Sequence, residues 1–354
     1  MTESAITGKP TAVRTYKDYG HPLWKRIILT REGAVYGALI LVILVASVTV
    51  KNFATPITVN YLLLDITPIL LIALPMTLVI ITGEIDLSVA SIVGLSSVVL
   101  GTLHQAGLPI ELAGLVALIV GAVAGALNGF LITVVGLPSL AVTIGTLALY
   151  RGLAVGLLGT TAVTDFTKFW KDLAKSKIAG TTIPSVMILF VVLAIVFVIL
   201  LHFTPFGRGV FAIGLSPEAA RFSGIRVERT KFILFMLSGV VSALAGIYYT
   251  LRFGSARGDN ATGLELSVIA AVLLGGVSIF GGRGALHGVI AGVLLIGTLG
   301  SALRLASITS DVINIITGAL LVASVVSTSV LVWVRGKRTK PGGNKPESLA
   351  GTKS

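Results

Sequence analysis

The chain has 354 residues, of which 55% are hydrophobic and 12% are charged, and its mean hydropathy is +0.98. This composition excludes an ordinary soluble domain, and because apolar runs of about 20 residues recur, it predicts an all-α polytopic membrane protein. The net charge of +12 is explained by basic flanks of membrane spans rather than by binding to nucleic acid. The absence of cysteine excludes disulfides, thiol catalysis and cysteine metal sites.

About ten apolar spans follow a basic tail of residues 1–31. Together they form a predicted transmembrane domain of residues 32–335, and a second basic tail, 336–354, is expected to be disordered. The predicted spans are 33–50, 61–82, 86–104, 110–135, 138–158, 183–203, 232–251, 264–280, 284–303 and 311–334.

The distribution of Lys and Arg predicts that both termini are cytoplasmic. With the termini inside, eighteen of the 27 basic side chains lie on the inner side and eight on the outer side, while Arg151 lies within a span. The polar segment 159–182 is then outside, and its four lysines run against the positive-inside rule. This segment is where the predicted topology is weakest.

Two patterns recur at an offset of five spans. The third span opens with Asp86 followed by Leu-Ser-Val, and the eighth opens with Glu265 followed by Leu-Ser-Val. Because five is odd, the two halves would lie in opposite orientations, which predicts a five-plus-five inverted repeat of the kind found in transporters. Coincidence in a Gly- and Ala-rich sequence is the alternative. Glycines that recur every four residues let helices approach closely, and in the fourth and ninth spans these are Gly121, Gly125, Gly129, Gly284, Gly288 and Gly292.

The polar stretch 204–231, on the basic side of the membrane, contains a predicted short helix. Ser216 can cap this helix, Pro217 suits its first position, Glu218 lies where the helix dipole favours an anion, and Gly224 follows its last residue. A helix of about two turns is not stable alone, so another element must support it. We interpret it as a docking helix for another protein, with an ordinary surface loop as the alternative. The predicted docking residues are Pro217, Glu218, Ala219, Ala220, Ser223 and Gly224.

The chain lacks the G-x-x-x-x-G-K-[ST] phosphate loop, so we expect that it does not itself hydrolyse ATP by that route. Its four histidines show no metal-ligand spacing, and we expect no metal and no catalytic residue. Candidate residues of a translocation pathway are Asp86, Ser88, Asn128 and Glu265. Helix capping explains the two acids equally well, and interhelical hydrogen bonding is the preferred interpretation of Asn128.

Two other classes of protein remain as alternatives. An ion-coupled secondary transporter predicts a buried acid in mid-span, whereas the acids of this sequence fall near predicted span ends. A membrane-embedded enzyme needs polar groups that converge at one depth, and no such set is readable from the sequence.

Several motifs together resemble one family. Residues 82–89, Thr-Gly-Glu-Ile-Asp-Leu-Ser-Val, resemble the T-G-G-I-D-L-S-V signature of ribose-type ABC sugar importer permeases. Residues 218–224 are similar to the E-A-A-x-x-x-G cytoplasmic loop of such permeases, and residues 270–284 resemble their C-terminal glycine block. The resemblance extends from about residue 61 to residue 320. Glu84 and Ala90 depart from it, because the family usually has glycine there.

The resemblance implies a type II-like importer fold in the inner membrane. It implies three protein partners besides membrane lipid: a second permease subunit in a homo- or heterodimer, a cytoplasmic ATPase with two fused nucleotide-binding domains, and an extracytoplasmic sugar-binding protein. ATP and Mg²⁺ would be used by the ATPase, and this chain would bind no cofactor and no nucleic acid. The family's cargo includes pentoses, hexoses, deoxysugars, polyols and autoinducer 2, among which the sequence does not select.

Overall fold

The computed structural model describes residues 31–338, so the predicted tails lie almost entirely outside the described residues. Within that range the regular secondary structure is helical, apart from two isolated β-bridges, Val163–Ala256 and Lys177–Pro184. The helices are α1 (Arg31–Thr49), α2 (Pro56–Ile81), α3 (Val89–Gln105), α4 (Ile110–Thr133), α5 (Ser139–Leu158), α6 (Lys168–Lys175), α7 (Val186–Phe203), α8 (Pro205–Leu215), α9 (Pro217–Phe222), α10 (Val227–Phe253), α11 (Leu264–Leu274), α12 (Leu286–Leu305) and α13 (Ser310–Arg338).

A helix occupies each of the ten predicted spans. Six of them, α2, α4, α5, α7, α10 and α12, are long and apolar enough to cross a membrane. The apolar stretches of α1, α3, α11 and α13 are shorter. The eighth predicted span is wrong at its far end: α11 stops at Leu274 because the chain turns through Gly275 and Gly276, and the latter has a φ of +94°.

Helix α2 forms the centre of the bundle and packs against α7, α10, α11 and α12. Its residues 70–81 are all buried. Pro68 and Pro75 lie inside this helix, and a proline removes one helical hydrogen bond to the carbonyl four residues earlier. The carbonyl of Leu64, which Pro68 leaves free, accepts a hydrogen bond from the Tyr248 hydroxyl at 3.0 Å. A neighbouring helix therefore satisfies the backbone group that this proline exposes.

The first glycine row lies where α4 meets α10. A Cβ atom added at Gly121 would lie 2.6 Å from the carbonyl oxygen of Gly239, and one added at Gly129 would lie 3.1 Å from the Cα of Phe232. A Cβ at Gly125 would lie 3.1 Å from the Cα of Gly239. The two helix backbones thus approach each other so closely that only glycine fits between them.

The second glycine row lies where α12 meets the end of α11. A Cβ at Gly292 would lie 3.0 Å from the amide nitrogen of Gly275, and one at Gly275 would lie 2.7 Å from the carbonyl carbon of Gly288. Gly284 was placed in the ninth span, but α12 begins at Leu286, so Gly284 lies in the preceding connection. Its neighbour there is Val277, with a side-chain carbon 3.0 Å from the position of an added Cβ.

The connections between helices gather at two ends of the bundle, which we name the α9 end and the α6 end. At the α9 end, the Gly282 amide donates to the carbonyl of Ile81 at 2.8 Å. At the α6 end, the Asn60 side chain donates to the carbonyl of Thr182 at 2.9 Å. The α9 end holds residues 82–88, 134–138, 204–226 and 275–285; the α6 end holds residues 50–55, 106–109, 159–185, 254–263 and 306–309.

Candidate functional site

The predicted short helix of the 204–231 stretch is α9, and its ends are formed as the sequence indicates. Ser216 is the N-cap, and its hydroxyl accepts a hydrogen bond from the Ala219 amide at 3.3 Å. Pro217 occupies the first position, and Gly224 has a φ of +81° just beyond the C-cap Ser223. Local signals therefore placed both ends of this helix within one residue.

The prediction that Ala220 lies on the docking surface is wrong. Its side chain is 3% exposed and packs in a small apolar cluster with Ile213 of α8 and Val227 of α10. Glu218, Ala219, Ser223 and Gly224 are exposed, and Pro217 is half-buried. Ala220 thus anchors α9 to the bundle, while its neighbours face outward.

Large apolar side chains are exposed at the α9 end, and the sequence analysis did not identify them. Phe222, in the last turn of α9, is 93% exposed, and Leu215 and Phe280 are 72% and 70% exposed. Together we name these three side chains the apolar patch. A phenylalanine within an otherwise polar stretch was the available sequence signal, since exposed apolar clusters rimmed by polar groups mark interaction surfaces.

The α9 region is tied to the rest of the α9 end by close backbone contacts. A Cβ at Gly281 would lie 2.9 Å from the carbonyl oxygen of Gly214 in α8 and 3.0 Å from that of Ile81 in α2. Arg221 Nε donates to Glu228 Oε1 at 2.9 Å, which joins α9 to α10 across the surface. These contacts join α9 directly to α10, and they place α8, which precedes α9, next to the end of α2.

A second ion pair joins α10 to the segment 82–88. Lys231 pairs with Glu84, and the two side chains are only 15% and 16% exposed. Glu84 is one of the two positions that depart from the resembled family's glycine pattern. Its pairing explains why a carboxylate is tolerated there, because a buried charge needs a partner.

A buried polar network continues inward from this segment. Asp86 is fully buried, and its carboxylate accepts hydrogen bonds from the Ser88 amide at 3.0 Å, the Ser88 hydroxyl at 2.6 Å and the Ser238 hydroxyl at 2.8 Å. Ser238 is the twelfth residue of α10, about 16 Å along that helix, so Asp86 lies well inside the bundle. All three groups donate, which matches the acceptor-only chemistry of a carboxylate.

Asn128 and Tyr150 extend this network to α4 and α5. The amide of Asn128 donates to Ser88 Oγ at 2.8 Å. The hydroxyl oxygen of Tyr150 lies 2.8 Å from the Ala124 carbonyl oxygen and 3.3 Å from Asn128 Oδ1. The segment 82–88 is thereby fixed to α4, α5 and α10 at once.

These contacts show the surroundings of three pathway candidates. Asp86, Ser88 and Asn128 have no exposed surface, so in this structure they line no open passage. Asp86 is also buried rather than solvated at the end of a span. The position of this acid therefore no longer argues against an ion-coupled secondary transporter. For Asn128 the structure agrees with the preferred interpretation, interhelical hydrogen bonding.

Glu265, the fourth pathway candidate, has different surroundings. It is half-buried in the first turn of α11 at the α6 end, and its charge acts on Arg151 together with that of Asp259. Arg151 donates from Nη1 to the carbonyls of Gly258 at 2.7 Å and Asn260 at 2.8 Å. Arg151 thus holds the 254–263 connection in place rather than reaching outward along its span.

The described residues present no group of three or more His, Asp or Glu side chains that could hold a metal ion. The features that these residues do form are an exposed helix at one end of the bundle, two ion pairs, and a buried hydrogen-bond network behind them.

Comparison with known proteins identifies the family. Residues 58–325 match the family described as "Branched-chain amino acid transport system / permease component". The chain is 40% identical over 266 residues to the "Autoinducer 2 import system permease protein LsrD" of Escherichia coli O157:H7, covering 73% of this chain and 80% of the relative. It is 37% identical over 281 residues to the protein of the same name from Photorhabdus luminescens, covering 77% and 84%.

No solved structure matches the chain. The family match covers well over half of the sequence. It contains the helices α3 to α12 and all but the first two residues of α2. The exposed α9, the buried network and both glycine rows are thus features of the matched region. The chain belongs to this permease family, and it is a membrane permease subunit of an ABC importer.

Proposed function

We propose that this permease carries a small sugar-like solute of the autoinducer 2 class into the cell. The observation that carries the proposal is the 40% identity over 266 residues to an autoinducer 2 import permease. The family description names branched-chain amino acids instead. We prefer the relatives because they are individual proteins, 37–40% identical to this chain over 73–77% of its length. The ribose-type motif of residues 82–89 points to the same sugar-like class.

Uptake by a deletion strain distinguishes the two cargoes. The strain lacking this gene should deplete autoinducer 2 from its medium more slowly than the parent, while its uptake of labelled leucine should be unchanged. A copy of the gene supplied in trans should restore depletion. Loss of leucine uptake with normal autoinducer 2 depletion would overturn the proposal.

The pore is proposed to have ten spans, with both termini cytoplasmic and an inverted repeat. Helix packing supports the repeat: α3 packs against α4 and α5, and α11 packs against the corresponding helices α12 and α13. Cysteines introduced at the exposed residues Asp172 and Ser223 test the orientation. An impermeant thiol reagent should label only the cysteine at 172 in intact cells, and labelling at both positions would contradict ten spans.

The α9 end is proposed to receive a cytoplasmic ATPase with two fused nucleotide-binding domains, which would bind the ATP and Mg²⁺. Support comes from the exposed face of α9 and from the apolar patch around Phe222. A second permease subunit would complete the pore, and an extracytoplasmic binding protein would deliver the cargo at the α6 end.

We propose that two ion pairs transmit movement of α9 to the inside of the bundle and so couple ATP hydrolysis to transport. Arg221 and Glu228 join α9 to α10, and Lys231 and Glu84 join α10 to the segment that ends in the Asp86 network. The outer pair is about half exposed and contributes little energy, whereas the inner pair is nearly buried. The inner pair is therefore the connection whose loss should matter most for coupling.

A further inference from the structure

Helix α6 has two clearly separated faces. Phe169, Trp170, Leu173 and Ala174 fall on one side of its helical wheel, and Lys168, Lys171, Asp172 and Lys175 fall on the other. Trp170 and Ala174 pack against the bundle, but Phe169 and Leu173 remain 64% and 45% exposed. An exposed apolar edge beside a lysine face is the pattern of a helix that lies in a membrane interface.

An apolar cavity of about 570 Å³ opens beneath α6. Its walls come from α6, α7 and α10 and include Trp170, Leu173, Val186, Leu189, Ile247 and Leu251. This volume falls within the roughly 300–1,000 Å³ of ordinary ligand sites. Along α7 the lining runs from Val186 to Val192, which corresponds to about 9 Å of helix and so to part of one bilayer leaflet.

The two side-chain hydroxyl groups on the walls of this cavity are already bonded. The Tyr248 hydroxyl donates to the Leu64 carbonyl, and the Ser185 hydroxyl lies 3.3 Å from the Ser176 carbonyl oxygen. A polar ligand would therefore find no free hydroxyl group on these walls. Ile188 and Val192, on the same side of α7, are 55% and 52% exposed, so the cavity adjoins the face that meets lipid.

The lysines at this end have no acidic partner. Among the side chains that the structure describes, no salt bridge involves Lys168, Lys171, Lys175 or Lys177. These are also the four lysines that run against the positive-inside rule. Their position beside an apolar cavity gives them a physical role, because ammonium groups at the membrane surface attract anionic lipid headgroups.

We propose that this cavity, which we name the α6 cavity, binds one anionic phospholipid. An acyl chain occupies the space between α6, α7 and α10, and the lysines of α6 hold the phosphate. The proposal does not depend on the cargo or on docking of the ATPase.

Tryptophan fluorescence tests the proposal directly. The sequence contains three tryptophans, and replacing Trp24 and Trp333 by Phe leaves Trp170, which lines the α6 cavity, as the only one. The purified protein is placed in nanodiscs of phosphatidylcholine that contain a small fraction of lipid with brominated acyl chains. Brominated phosphatidylglycerol should reach half-maximal quenching of Trp170 at a lower mole fraction than brominated phosphatidylcholine, because its affinity should be higher by on the order of fivefold for each engaged lysine. High salt should reduce the difference.

A triple variant, Lys168→Gln, Lys171→Gln and Lys175→Gln, should bring the two lipids to equal quenching. Gln has nearly the same helix propensity as Lys, so α6 should persist, and unchanged thermal melting checks that it does. The control is Lys51→Gln, at an exposed lysine elsewhere at the α6 end, which should keep the preference.

Three results would overturn the proposal. Equal quenching by the two lipids in the protein that retains its lysines means that this face contacts bulk lipid without selecting the headgroup. No quenching by either lipid means that a second copy or a partner protein covers it. A preference that survives the triple variant means that the lysines do not hold the headgroup.

Discussion

Gly121→Ala should destabilise the protein because it pushes α4 away from α10. The added Cβ would lie 2.6 Å from the carbonyl oxygen of Gly239, whereas ordinary contact begins at 3.4 Å, so the two helices must separate by about 0.8 Å (3.4 minus 2.6). The obstacle is backbone and cannot rotate away. Overpacking of this kind costs about 1–3 kcal/mol.

Gly114→Ala is the matched control, because it lies two turns earlier on the same helix and is also buried. Its added Cβ would meet only the Cδ1 atom of Ile247 at 3.8 Å, an ordinary contact. Both substitutions replace glycine by alanine in a helix, so the propensity gain of about 1 kcal/mol cancels between them. The difference in melting temperature should be roughly 2–12 °C in favour of Gly114→Ala, at about 2–4 °C per kcal/mol.

Melting of the two purified variants in the same detergent is the assay. Equal melting temperatures would refute the reasoning, since the glycine row would then reflect composition rather than close packing. A destabilised Gly114→Ala would point instead to a general sensitivity of α4.

Three further substitutions test individual contacts. Glu84→Lys places a like charge against the nearly buried Lys231 and should abolish ATPase stimulation, while adding Lys231→Glu should restore it. Asp86→Leu leaves three buried donors without an acceptor and should cost about 1–3 kcal/mol of unfolding free energy for each donor that finds no other partner, whereas Asp86→Asn keeps one acceptor oxygen and should cost less. Asp65→Ala removes the carboxylate 2.6 Å from Arg252, whose side chain is 8% exposed, and should cost near the lower end of about 3–5 kcal/mol because Asp65 itself is partly exposed.

An exposed ion pair is the control for Asp65→Ala. The hydrogen bond from Arg257 lowers the pKa of Asp259, but the two side chains are 52% and 63% exposed, so solvent screens the pair. Asp259→Ala should therefore leave the melting temperature nearly unchanged. Equal losses of stability from Asp65→Ala and Asp259→Ala would contradict the role assigned to the pair of Asp65 and Arg252. Failure of Lys231→Glu to restore ATPase stimulation would contradict the role of the pair of Lys231 and Glu84. Equal losses of stability from Asp86→Leu and Asp86→Asn would contradict the role of Asp86 as a hydrogen-bond acceptor.

Features that depend on neighbouring residues in the chain could be predicted from the sequence. The cap at Ser216, the proline that follows it and the left-handed Gly224 are local signals, and they placed α9 within one residue. Spans longer than about 18 apolar residues were equally readable. The eight residues of α6 were missed, because a helix this short leaves only two turns of periodicity inside a polar segment.

Features that depend on distant residues could not be predicted. The acceptor role of Asp86 involves Ser238, which lies 152 residues further along the chain. The burial of Ala220 follows from its packing on Ile213 and Val227, which only the arrangement of α8, α9 and α10 brings together. The sequence reading therefore placed the short helix α9 correctly but misassigned the surroundings of these two side chains.

Cross-linking from residue 222 tests the central claim, that α9 is the docking element for the ATPase. The chain has no cysteine, so Phe222→Cys carries a unique site for a thiol-linked photo-cross-linker. Phe169→Cys, at a side chain that is 64% exposed at the α6 end, is the matched control. After illumination of native membranes, the cysteine at 222 should cross-link to a protein that contains nucleotide-binding motifs, and the cysteine at 169 should not. Cross-linking of the ATPase from residue 169 but not from residue 222 would contradict the account.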